Sequence, residues 1–101
     1  MYEIIYLPIA KKDLADIVTY IANHLNAPQA AMKFIETLDQ SISKLRNFPY
    51  SHKVYQSGEA LENEYRLLLV KNYAVFYVVK EQAVEIHRVI YAKMDLSQII
   101  K

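Results

Sequence analysis

The chain has no cysteine among its 101 residues, which removes disulfide scaffolds, thiolate zinc sites and cysteine nucleophiles together. Its single glycine cannot build a phosphate-cradling loop. One glycine and three prolines also leave few turns that need positive φ and no long flexible linker. An excess of charge is missing as well. Twelve basic against eleven acidic residues give a net charge of +1, whereas binding by phosphate neutralisation needs a cation for each contact. Any nucleic-acid role would therefore rest on a local patch. No apolar run approaches the length of a membrane span. Glu3 interrupts the first apolar segment and no basic stretch precedes it, so no signal peptide and a cytoplasmic protein are expected.

What is present is an ordinary globular composition, 53% hydrophobic and 23% charged, with length for one core. A single domain over residues 1–101 is expected. Residues 2–7 (YEIIYL) are β-branched and aromatic and predict a strand closed by Pro8. Leu14, Ile17, Val18, Ile21 and Leu25 then recur at helical spacing, with Lys11, Asp16, Thr19 and Asn23 opposite. Asn26 and Pro28 predict a stop and a fresh start. The second helix carries a stripe of Ala31, Phe34, Ile35, Leu38, Ile42 and Leu45 and ends near Asn47, before the Phe48–Pro49 step. So short a connection predicts an antiparallel helical hairpin. Residues 49–64 read as a loop with a short edge strand over Lys53 to Gln56.

Residues 65–95 form the most informative stretch. Strands are predicted at Tyr65 to Val70, Tyr73 to Val79 and Ala83 to Tyr91. The turns are Lys71-Asn72, where Asn tolerates positive φ, and Lys80-Glu81-Gln82. Alternation puts Val84, Ile86, Arg88 and Ile90 on one face of the last strand, with Glu85, His87, Val89 and Tyr91 on the other. Asp95 to Gln98 has capping-box spacing and predicts a short C-terminal helix. The order β-α-α-β-β-β predicts an α+β fold, an antiparallel sheet with the hairpin on one face. The middle strand is apolar on both faces. Its second face is expected either to take a partner or to be covered by the 49–64 loop and the C-terminal tail.

Chemistry has few candidates. His24, His52 and His87 are isolated from carboxylates at metal spacing, no serine sits in a nucleophile elbow, and neither a metal nor a cofactor is expected. Arg66, Lys71, Tyr77, His87, Arg88, Tyr91 and Lys93 make a basic and tyrosine-rich cluster on the meander. Metal-free RNA cleavage needs a base, phosphate-holding cations and an acid. His87 could titrate, Tyr91 or Tyr77 could donate, and Arg66, Arg88 and Lys93 could hold charge. The alternative is that these are strand residues, with tyrosines packing and Arg88 paired to an acid on the sheet. Lys11, Lys12 and Asp13 read as a solvated helix face.

The Asp13-Leu14…Ile17…Tyr20-Ile21 pattern, the Asn72-to-Tyr77 segment NYAVFY and the Arg88-Val89-Ile90-Tyr91…Asp95 ending resemble, in order and spacing, the RelE/ParE superfamily of type II toxin–antitoxin toxins. The resemblance covers nearly the whole chain. It implies a growth-inhibiting toxin neutralised by a cognate antitoxin that wraps it and covers the exposed surface. It also implies one of two activities, ribosome-dependent mRNA cleavage in the RelE branch or poisoning of DNA gyrase in the ParE branch. Ala74 and Met94 stand where the RelE branch has arginines, Ile100 where it has a tyrosine, and Leu68 where it has a second lysine. Arg66 falls at its first catalytic lysine. The missing cations weaken a phosphate clamp, so the resemblance is closer to ParE, with Tyr77, Arg88, Tyr91 and Lys93 as expected binding residues. The alternatives are an mRNA endonuclease using Arg66, His87, Tyr91 and Lys93, and a degenerate toxin that only binds its antitoxin.

Overall fold

The computed structural model describes residues 1–56, 61 and 63–93. The predicted C-terminal helix at Asp95 lies outside them. The elements are β1 (Glu3–Tyr6), α1 (Pro8–Thr19), α2 (Pro28–Ser43), β2 (Arg66–Val70), β3 (Tyr73–Val79) and β4 (Ala83–Tyr91). A π-helical turn over Tyr20–His24 prolongs α1, and a 3-10 turn over Lys44–Arg46 prolongs α2. Both α-helices start at proline without a side-chain cap. A fixed φ near the helical value and an N–H that would be orphaned anyway suit proline to that position. Asn26, at φ 51°, turns the chain between the helices.

The four strands run in the order β1-β4-β3-β2. The meander is antiparallel, as its short turns require, but β1 lies parallel to β4, making the sheet mixed. The parallel step follows from the helical hairpin, whose long crossover returns the chain to the same end of the sheet. The edge strand expected at Lys53 to Gln56 reduces to a single bridge between Val54 and Arg66. In the first meander turn Lys71, not Asn72, takes positive φ (54°).

The helices cover one sheet face. Phe34, Leu38, Ile42 and Leu45 are buried against Val75, Tyr77, Val84, Ile86 and Val89. Each large side chain so buried contributes roughly 1.5–3 kcal/mol. Ile35, placed on the stripe by its spacing, is exposed at the stripe's margin. The other face holds a second cluster of Ala74, Phe76 and Ile90, with Tyr55, Leu61, Tyr65 and Leu67 packed on it. Tyr55 and Tyr65 meet the Phe76 ring edge-on at 5.1 and 6.3 Å. Tyr55, Leu61 and Tyr65, from the chain's own connection between α2 and β2, thus cover part of the face that could have awaited a partner, and Leu69 on the same face stays exposed.

One irregularity changes the alternation in β4. Phe76 pairs with Arg88 and Tyr77 with Ile86, so His87 is an extra residue in a β-bulge. Beyond the bulge every side chain changes face. Val89 therefore joins Val84 and Ile86 under the helices, and Ile90 joins Phe76 on the far side. Simple alternation would have directed Arg88 into the apolar layer beneath α1.

Candidate functional site

β1 ends at Tyr6, but β4 continues to Tyr91. The last rung between them is the Leu7 N–H donating to the Ile86 carbonyl at 3.0 Å. Past that rung α1 lies along the open edge of β4. Its Asp13 carboxylate accepts from Arg88 Nε (2.8 Å) and Nη2 (3.0 Å) and from the Val89 backbone N–H (3.0 Å). The fork and the amide fill both carboxylate oxygens, and the hydrogen bonds to Asp13 raise the Arg88 pKa above its ordinary value. Arg88 thus pairs with an acid on the neighbouring helix and not on the sheet. Asp13 was not legible as a site residue: it looked like part of a wet helix face, and only its place in the family pattern singled it out.

This ion pair forms one wall of a groove of about 660 Å³ between α1 and the ends of β3 and β4. Ile17, Tyr20, Leu25, Tyr73 and Tyr91 supply the apolar lining, and Asp13, Asp16 and Arg88 the charge. Tyr91 stacks edge-on against Tyr73 with centroids 5.8 Å apart. Lys93 follows on the exposed surface. Arg88 and Tyr91 are thus brought to one surface. Tyr20, Leu25 and Tyr73 complete it; Leu25 carries no signal in sequence beyond its helical spacing, and Tyr20 and Tyr73 stand out only within the family pattern.

Tyr77 does not belong to that surface. It is fully buried under the helices, and its hydroxyl donates to the Pro49 carbonyl at 2.8 Å. Burial raises its pKa. Expected as a binding residue, it instead pairs with Ile86 on the helix-covered face and has no exposed surface.

The residues of a cleavage site are dispersed. Arg66 lies opposite Tyr77 in the register and shares its face. Its guanidinium donates to the His52 carbonyl at 2.7 Å, reaches Glu64 at 3.3 Å and lies 4.9 Å above the Tyr50 ring. His87 projects from the other face, where Nδ1 lies 3.3 Å from the Tyr65 hydroxyl and Nε2 lies 3.1 Å from Glu85 Oε1. Tyr91 is a further four residues along the strand, roughly 13 Å away. Base, cation and acid therefore do not converge. Of the positions where a RelE-type nuclease would carry its own groups, Ala74 is fully buried in the second cluster, and Met94 and Ile100 lie outside the described residues.

Comparison with known proteins bears on the family and the fold. A family profile described as the ParE toxin of type II toxin–antitoxin system, parDE, matches residues 4–96. The chain belongs to the ParE toxin family. No curated protein matches it. A solved structure titled as a chromosomal ParDE TA system from P. aeruginosa superposes with a TM-score of 0.75 at 18% identity, over 92% of this chain and 98% of that one. At that identity the likeness extends to the fold. The helical hairpin and mixed sheet described above are thus those of a known fold. Among those described, no helix is long and apolar enough to cross a membrane.

Proposed function

We propose that this ParE-family chain is a toxin that stops growth by binding and inhibiting DNA gyrase, without catalysis, and that a cognate antitoxin encoded beside it neutralises it. The observation that supports this most is the contrast between two regions. Arg66, His87 and Tyr91, which a nuclease would need together, are held apart by their own partners. The groove beside Arg88 and Tyr91, by contrast, is open, largely apolar and edged with charge, a composition suited to a protein partner. The superfamily's two known modes leave gyrase as the target once cleavage is set aside. Membership of the ParE family supports the antitoxin, and the similar fold of the P. aeruginosa protein, from a ParDE system, agrees with it.

Expression from an inducible promoter tests the reading. Growth arrest should come with a DNA-damage response while transcripts remain uncut and translation continues. Co-expression of the neighbouring reading frame should restore growth. Transcripts cleaved in a ribosome-dependent way would support the endonuclease instead. No arrest, with antitoxin binding retained, would support a degenerate binder.

A further inference from the structure

The open edge of β4 carries a second consequence that does not depend on the cellular target. The Ala92 N–H donates to the Asn72 carbonyl at 2.8 Å, so Ala92, Ile90 and Arg88 direct their backbone groups toward β3. Val89 and Tyr91 direct theirs outward, by the alternation of an antiparallel ladder. The bulge at His87 sets this phase, since an unbulged strand would present Arg88 and Ile90 instead. The first outward donor is the Val89 N–H, and Asp13 already takes it. Among the described residues no other hydrogen-bonding group meets the outward backbone groups of Val89 and Tyr91.

We propose that the Asp13 carboxylate stands in for a strand on this edge, and that what it excludes is a second copy of the chain adding through its own β4. Such an edge is self-complementary. Val89 and Tyr91 each offer a donor and an acceptor, so two copies related by a two-fold axis can pair antiparallel. The flanks favour the same event, because Tyr20 is 50% exposed, Leu25 56% and Tyr91 39%. A net charge of +1 supplies little repulsion between copies. Against this stands α1 packed beside the edge, and from it one acid, Asp13, turned inward onto the edge and neutralised by Arg88. Proteins commonly block strand addition with a charged group placed in that way.

Sedimentation velocity over a concentration series, with amide exchange followed at Val89, tests the proposal on the full chain. In the wild type the Val89 amide should be protected although no strand covers it. In Asp13→Ala it should exchange severalfold faster, and the sedimentation coefficient should climb toward that of a dimer. Asp13→Asn keeps an oxygen that accepts from Val89 and should sediment as the wild type. Arg88→Gln breaks the ion pair but leaves the amide capped, and should do the same. A freely exchanging Val89 amide in the wild type overturns the proposal, whatever the variants do. So does a folded Asp13→Ala that sediments as the wild type throughout, or an Arg88→Gln that associates as strongly as Asp13→Ala.

Discussion

Arg66 and His87 point to opposite faces of the same sheet. Arg66 shares the helix-covered face with Tyr77 and is held by the His52 carbonyl and the Tyr50 ring. His87 is held between Tyr65 and Glu85 on the other face. A proton acceptor and a phosphate-holding cation on opposite sides of a β-layer cannot act on one ribose and its phosphate, since general base and charge stabiliser must both contact the reacting atoms.

Toxicity should therefore survive the loss of either group. His87→Ala and Arg66→Ala are expected to inhibit growth as the wild type does, at matched protein levels. Abolished toxicity in both folded variants would restore the nuclease reading.

Breaking the strut between α1 and β4 should affect stability. Arg88→Ala leaves the partly buried Asp13 carboxylate with only the Val89 amide as partner. The expected loss is about 2 kcal/mol in urea denaturation. Arg88→Lys should recover only part of it, because an ammonium cannot reproduce the two-pronged fork.

The buried tyrosine sets a limit at alkaline pH. Burial raises the Tyr77 pKa above its ordinary value of 10.0, so the folded chain holds the phenol proton more tightly than the unfolded chain. Its contribution to stability is complete below pH 10.0 and is lost as pH climbs toward the folded-state value. Tyr77→Phe should show a shallower alkaline loss of stability than the wild type. It should also cost roughly 1 kcal/mol at neutral pH through the bond to the Pro49 carbonyl. Tyr6 and Tyr73 are shifted in the same direction by burial, so some of the slope will persist.

The second cluster should be as important as the first. Phe76→Ala empties the centre of the face covered by Tyr55 and Tyr65 and is expected to cost about 3–5 kcal/mol. Denaturant unfolding, with tyrosine fluorescence reporting the covering loop, measures it.

Much of this architecture is legible in the order of residues. The helical stripes, the three meander strands and their turns follow from periodicity and from Pro8, Pro28 and Pro49. The parallel placement of β1 is not, because YEIIYL carries no mark of which strand it will join. The bulge is harder still. His87 interrupts a pattern that alternation reads straight through, and only the adjacent apolar pair Val89-Ile90 hints that the face changes. That single residue decides the fate of Arg88, which would otherwise point beneath the helices. It also lets Asp13 act as an edge cap where its surroundings suggested a solvated helix face. Of the expected surface, Arg88 and Tyr91 were visible as a basic and aromatic pair. Tyr77 is not legible as a core residue, because a tyrosine on a strand looks the same whether its hydroxyl meets solvent or a buried carbonyl.

The central claim is inhibition of gyrase by binding. Purified gyrase should be titrated with the full chain, following supercoiling of relaxed plasmid. The account predicts loss of supercoiling with accumulation of cleaved DNA, reversed by the cognate antitoxin and unchanged in His87→Ala. Undiminished supercoiling at saturating protein, while the same preparation cuts mRNA on ribosomes, would contradict it.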